Sequence, residues 1–417
     1  MGSARPAPTP DPGDDWASGW RMRVRGRVVT PEGVVEDAVV RIRNDRIDDI
    51  TVAPRGRSAS ERGRSLSGAW VVPGFVDLHV HGGGGYSFTA GDVAQARGAI
   101  AFHRRHGTTT MLASLVTAPR RDLYDQTARL APLVHSGELA GVHLEGPYLA
   151  DARRGAHDPR HLRDPDPAEL AELIALDAVR VVTLAPERPG GLAAIEQLRA
   201  HGVVVAIGHT DATYEQALAA VTAGAGLATH LYNGMRPIHH RDPGPVVALL
   251  ESPGVVCEVV ADGVHLHDGI LRHTVRVAGP DRVALVTDAI AAAGMPDGAY
   301  ELGGLPITVA DGVARLTGSG SIAGSTTTMA AAFRRTVRSG VSIVEAARMA
   351  ATTPAAVLGL GHEVGAIAPG MRADLVVLDE DLAVIAVVRA GQLVTEPAGP
   401  ARRRRTTRAG DGPVRPR

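Results

Sequence analysis

From about Phe75 onward the chain repeats one pattern: an apolar run that ends on a polar residue, then a loop, then a stretch with apolar residues at helical spacing. The apolar runs are FVDLHVH, TTTMLASLV, LAGVHLEGP, VRVVTLAP, VVVAIGHTD, GLATHLYNG, VVCEVVADGVH and RVALVTDAI. Stretches such as GDVAQARGAIAFHRRH, RRDLYDQTARLAPLVH, GGLAAIEQLRAH and TYEQALAAVTAG separate them and predict helices. Eight strands alternating with helices predict an α/β fold, a (β/α)₈ TIM-like barrel over 71–360. Three further helical stretches, around Thr328 to Ser339, Ile343 to Ala351 and Pro354 to Leu358, are expected to pack outside the barrel. On either side of this region the period changes to two. RVRGRVV, DAVVRI and RIDDITV over 21–70, and ADLVVLDEDLAVIAVVRAGQLV over 361–396, predict a small β-sandwich domain of antiparallel strands built from both ends, with the barrel inserted between its halves.

The remaining segments, 1–20 and 397–417, are rich in Pro and Gly without apolar period, and are expected to be disordered; the second carries the run Arg402 to Arg405. That run lacks interleaved aromatics, so no nucleic-acid role is assigned to it. With 44 basic and 45 acidic side chains the formal net charge is -1, which argues against a nucleic-acid or membrane partner and for a small soluble substrate. One cysteine, Cys257, cannot form a disulfide within the chain, and its apolar setting reads as a buried strand position. The single cysteine leads to the expectation of a reducing, cytoplasmic compartment, and a soluble protein is expected since no apolar run reaches the ~20 residues of a membrane helix. Every basic side chain is arginine. Schiff-base, pyridoxal-phosphate and P-loop chemistry all need a lysine amine and are excluded.

The polar residues of the strand runs gather at or just past the C-terminal ends, which is the catalytic face of such a barrel. His79 and His81 end the first run, Glu145 the third, His209 the fifth, His230 the sixth and Asp288 the eighth. The i, i+2 spacing of His79 and His81 points both imidazoles to one side of a strand. Clustered neutral imidazoles beside a buried carboxylate are costly unless a cation, Zn²⁺ or Fe²⁺, satisfies them.

These residues lie in PGFVDLHVHG, GVHLEGPYLADARRGAH, GHTDA, THLYNGM, RDPG, ADGVHL, VTDA, IAGST and GAIAPGMRADLVVLD. Together the motifs resemble the amidohydrolase superfamily and, within it, the N-acetylglucosamine-6-phosphate deacetylases, over about 22 to 395. HLEGP and THLYN carry the narrower resemblance, while HxH and VTDA belong to the wider superfamily. The resemblance implies a principal divalent metal on Glu145, His209 and His230, and a second on His79 and His81 with Glu145 and Asp288 shared. It implies Asp288 as general base, His157 as the group that polarises the scissile carbonyl, and Arg241 as the phosphate ligand. Ala156, Asn233, Gly234, His265, Ile322, Ala323 and Gly324 match sugar-phosphate contacts. It further implies a homodimer in which Arg241 or His265 acts across the interface. The alternatives are another amidohydrolase activity, such as an N-acyl amino acid deacylase or dipeptidase, and a non-catalytic scaffold of the same fold.

Overall fold

The computed structural model describes residues 20–53, 64–90 and 92–394. The expected tails, apart from Trp20, and the Arg402 to Arg405 run lie outside them. The first strands are β1 (Trp20–Thr30), β2 (Gly33–Arg43), β3 (Arg46–Val52), β4 (Arg64–Pro73) and β5 (Phe75–Asp77), followed by the short ladder of β6 (Gly82–Gly83) and β7 (Tyr86–Ser87). Next come β8 (Thr108–Val116), β9 (Gly141–Glu145), β10 (Val179–Leu184), β11 (Val204–Ile207), β12 (Leu227–Ala228), β13 (Val256–Val260) and β14 (Val283–Val286). β5 and β8 through β14 form one parallel sheet in chain order. The bridge between Val80 and Ala289 and the bond from Asp288 N to His79 O bring its two edges together, so the eight expected strands close a barrel.

Burial on both faces explains why the strand sequences are apolar without alternation: all nine residues of β8 are buried. Outward residues such as Val142 and Leu144 meet the surrounding helices, among them Arg120–His135 with Leu123, Leu130 and Leu133 turned inward. Inward residues form a second core of Val76, Leu78, Leu112, Val181, Ala206, Leu227, Val260, Ala284 and Val286. Ala355 joins this inner core, and Thr353 Oγ1 donates to Pro280 O just ahead of β14. The last of the three late helices (Thr353–Val357) therefore caps the floor of the barrel instead of lying against its outside, because the open N-terminal end needs apolar cover.

Three strands went unassigned in the sequence: β15 (Gly298–Leu302), β16 (Leu305–Ala310) and β17 (Val313–Leu316) form an antiparallel arm after β14. The terminal strands β18 (Leu375–Leu378), β19 (Val384–Arg389) and β20 (Gln392–Val394) complete a seven-stranded sheet in the order β20-β19-β18-β4-β1-β2-β3. Segments from either side of the barrel thus meet in one β unit. Its strands are not all antiparallel, however, for β1 and β4 run parallel. Only Gly74 separates β4 from β5, so the entry into the barrel sets the direction of β4.

Candidate active site

Every strand that contributes to the site delivers its polar group at its C-terminal end. Glu145 is the last residue of β9, while His209, His230 and Asp288 each follow β11, β12 and β14 by two residues. Those three have positive φ, of 48°, 27° and 50°, a backbone region that costs an L residue energy and here turns each side chain back over the barrel mouth. His79, His81, Glu145, His209, His230 and Asp288 are all buried. Their reactive atoms meet: Glu145 Oε1 lies 3.0 Å from both His209 Nε2 and His230 Nε2, which are 3.1 Å apart. His79 Nε2 and His81 Nε2 are 3.0 Å apart, and Asp288 Oδ1 is 3.5 and 3.3 Å from them.

Hydrogen bonds on the far side of each ring decide what these atoms offer. His209 Nδ1 donates to Arg153 O at 2.8 Å, His81 Nδ1 to Ser114 O at 3.2 Å, and His79 Nδ1 to Glu258 Oε2 at 3.2 Å. In the neutral tautomer each therefore turns a bare Nε2 lone pair inward, towards other lone pairs and carboxylate oxygens. Such a donor set fits a divalent cation: His79, His81 and Asp288 have ligand atoms close enough to share one, and Glu145 Oε1 lies 3.0 Å from the Nε2 atoms of both His209 and His230. Protons are the other remedy. Burial alone would lower the pKa values of His79 and His81, but the carboxylates of Glu145 and Asp288 raise both above the ordinary imidazole range. In turn His79 and its neighbours hold Glu145 and Asp288 below the ordinary carboxylate range against the effect of burial.

His157 differs from the other rings. Its Nδ1 accepts from Thr117, with Oγ1 at 2.9 Å and N at 3.4 Å, so its proton sits on Nε2, 3.4 Å from Glu145 Oε2. Burial pushes its pKa down to about 4, which keeps the ring neutral. It presents a donor to the cavity where the others present acceptors.

The cavity above this cluster holds about 270 Å³ and is lined by His81, Glu145, His209, His230 and Asp288 at its base and by Ala156, His157, Asn233, Gly234, His265, Ile322 and Gly324 around them. Asn233 Nδ2 is held by the carbonyls of His230 and Leu231. His265 Nδ1 donates to Asp262 Oδ2 at 2.7 Å, and its Nε2 faces Asp288 Oδ2 at 3.8 Å. Ser325 N bonds Asp288 O at 2.7 Å, which draws the 322–324 segment to the rim. Gly324 has φ 62°, and a Cβ there would lie 2.7 Å from Asp288 O; at Gly234, φ 61°, it would lie 2.9 Å from His209 Nδ1. Two expected contacts are not among the lining residues. Ala323 is buried in the apolar cluster beneath the arm, and Arg241 is exposed on the 236–243 loop, with Nη1 2.7 Å from His240 Nε2.

Residues 70–394 match the amidohydrolase family. The chain belongs to that family. Among relatives of this amidohydrolase, an N-acetylgalactosamine-6-phosphate deacetylase of Escherichia coli O157:H7 is 39% identical over 90% of this chain and 99% of that protein. An N-acetylglucosamine-6-phosphate deacetylase of Lysinibacillus sphaericus is 37% identical over 78% and 86%. A solved variant of the Mycobacterium smegmatis N-acetyl-D-glucosamine-6-phosphate deacetylase, in complex with N-acetyl-D-glucosamine-6-phosphate, is 48% identical with a TM-score of 0.86, covering 90% of this chain and all of that one.

Several groups that frame this amidohydrolase site escaped the sequence reading. Asp77, buried beneath the histidine pair, accepts from Thr287 Oγ1 at 2.6 Å and from His79 N at 3.2 Å, and burial raises its pKa to about 7. Its place in DLHVH was a readable signal, because a lone carboxylate inside an apolar run is costly to bury without partners. His143, inward on β9, bonds Ser114 Oγ at 2.9 Å and Thr183 Oγ1 at 2.8 Å. Glu258, a lone carboxylate in the apolar run VVCEVV, is fully buried. An isolated charge in an inward strand position is itself a sign of a site. The arm supplies Leu302 to the cavity wall.

Proposed function

We propose that this amidohydrolase removes the acetyl group of N-acetylglucosamine-6-phosphate, yielding acetate and glucosamine-6-phosphate. The observation that carries the reading is the convergence of four imidazoles with Glu145 and Asp288 at the base of one cavity, in a chain 48% identical to a solved deacetylase bound to that sugar phosphate. Glu145, His209 and His230 would hold one divalent cation, and His79 and His81 with Glu145 and Asp288 a second, supplying Lewis acidity and a water acidified towards pKa ~7, with Zn²⁺ or Fe²⁺ the ions that suit these ligands.

Asp288 is the proton carrier. Its carboxylate takes a proton as the water oxygen bonds to the amide carbonyl carbon, then gives it to the nitrogen as the C–N bond breaks, so the amine leaves neutral. His157 Nε2–H donates to the carbonyl oxygen while that oxygen carries the negative charge, and the ring's neutrality lets it do so without titrating near pH 7. Ala156, Asn233, Gly234, His265 and the Ile322, Ala323, Gly324 segment orient the sugar. Arg241 grips the phosphate, with a planar fork suited to the dianion. Its exposure outside its own chain's cavity supports a homodimer in which it reaches the partner's site. The setting is cytoplasmic amino-sugar catabolism, with neither nucleic acid nor membrane as partner.

The E. coli relative named for N-acetylgalactosamine-6-phosphate favours a second reading, in which the C4 epimer is accepted too. Acetate release separates the cases. Both phosphorylated epimers, unphosphorylated N-acetylglucosamine and N-acyl amino acids are offered in parallel. Turnover of N-acetylglucosamine-6-phosphate well above the others supports the proposal; preference for the galacto epimer moves the substrate to the second reading, and turnover of N-acyl amino acids alone rejects both.

A further inference from the structure

Glu258 sits on β13 with its side chain directed into the barrel and none of its surface exposed. One carboxylate oxygen, Oε2, does all its bonding, accepting from His79 Nδ1 at 3.2 Å and from the backbone N of His230 at 3.2 Å. The other, Oε1, has no partner among the described residues. His79 belongs to the pair of imidazoles proposed for the second cation and His230 to the set proposed for the first, and their rings stack with centroids 5.5 Å apart. A buried carboxylate costs several kcal/mol unless nearby groups compensate it. Two neutral N–H donors on one oxygen fall short of that, whereas cations at the neighbouring rings would answer it.

We propose that Glu258 is the positioning residue of the metal centre: it fixes His79 as the Nδ1–H tautomer with Nε2 free for a cation, and at the same time pins the strained backbone of His230, so that one carboxylate sets both halves of the site. The inference rests on the two-cation reading above. Without Glu258, His79 has no acceptor for its Nδ1 proton among the described residues. The proton then distributes between the two nitrogens, and the tautomer with Nε2 protonated binds nothing. At His230, φ 27° persists only while its surroundings hold it, and the bond from its N–H is one of those restraints.

The test is equilibrium Zn²⁺ binding, measured by competition with a chromophoric chelator, together with melting temperatures of Zn-free and Zn-loaded protein. Three variants divide the possibilities. Glu258→Gln keeps an acceptor oxygen at the same reach and loses the charge; Glu258→Asp keeps the charge and loses the reach; Glu258→Met loses both. Positioning predicts affinity in the order wild type, Gln, Asp, Met, with Met about 10- to 100-fold weaker than wild type. It also predicts that the rise in melting temperature on adding Zn²⁺ shrinks in the same order. Should the Met variant fail to fold, the order of Gln above Asp carries the same decision. Affinity equal to wild type in the Asp variant, or Asp above Gln, overturns the proposal. So does a loss of stability that is the same with and without Zn²⁺, which marks Glu258 as a packing residue only. A wild type that binds one Zn²⁺ per chain overturns the two-cation reading itself, and the wild-type arm alone reveals it.

Discussion

Asp288, proposed above as the proton carrier, lies 3.3 Å from His81 Nε2 and 3.8 Å from His265 Nε2. Asp288→Asn keeps the shape and removes the acceptor, and turnover should fall at least about a hundredfold, measured on folded variant protein whose metal content has been verified. Near-normal turnover in a variant shown to carry its metal would remove Asp288 from the mechanism. A second residue-scale prediction concerns His103, which is fully buried, donates from Nε2 to Gly82 O at 2.8 Å, and leaves Nδ1 without a partner among the described residues. Burial lowers its pKa to about 4. A depressed imidazole pKa stabilises the fold fully above the unfolded value near 6.5, and that stability is lost as pH falls towards about 4. His103→Gln retains a donor for Gly82 and cannot titrate. Denaturation midpoints from about pH 7.5 down to about pH 4.5 should therefore fall less steeply in the variant, by on the order of 3 kcal/mol across the range. Equal slopes would show that other groups govern acid sensitivity. The candidate ligand residues were legible because each is a polar side chain interrupting an apolar run; His103 was not, because on an amphipathic helix a histidine near the C-terminal end looks like an ordinary surface residue.

At the scale of elements, the barrel strands were readable because burial on both faces leaves unbroken apolar runs, and the helices because their apolar positions recur at three and four. The arm of β15, β16 and β17 was overlooked, though its sequence AYELGGLPITVADGVARL carries two hairpin signals. Gly303, Gly304, Asp311 and Gly312 all have positive φ in the structure, as such two-residue turns require. The arm is partly exposed and lies outside the strand-helix repeat, so the rule that found the barrel could not find it. Gly304 offers a clean test, since no atom lies within 4 Å of a Cβ built there while its φ is 81°. Gly304→Val meets only backbone strain, about 1–3 kcal/mol, whereas Gly304→Asn tolerates the left-handed conformation. The Val variant should exchange amide hydrogens faster over residues 298–316 and raise KM, because Leu302 walls the cavity; the Asn variant should resemble wild type. If both behave alike, the turn does not govern the wall.

Across the whole molecule, two arginines from the late β segment tie the terminal sheet to the barrel. Arg372 bonds Asp374 at 2.6 Å and Thr110 Oγ1 at 2.9 Å, and Arg389 reaches Thr109 O at 3.0 Å and Gly137 O at 2.8 Å. Sequence patterning announced the two-part β unit but not this joint, since an arginine between apolar strands does not declare which loop it will meet. Stability and metal content should be coupled through the barrel mouth. Four buried histidines face Glu145 and Asp288 there, and removal of the cations leaves protons as the remaining compensation. His79 and His81 have raised folded pKa values, so in metal-free protein their stabilising contribution is complete below the unfolded value near 6.5 and lost as pH rises through the folded one. Cation binding displaces those protons, and so competes with them less as pH rises. The gain in stability from a divalent cation at fixed free concentration should thus be larger at about pH 8 than at about pH 6, approaching about 2.7 kcal/mol when the free cation is a hundred times its Kd. Melting curves of chelator-treated and metal-reconstituted protein at the two pH values measure it. An increment that is equal at both, or greater at the lower pH, would mean that the imidazoles of His79 and His81 do not exchange their protons for metal.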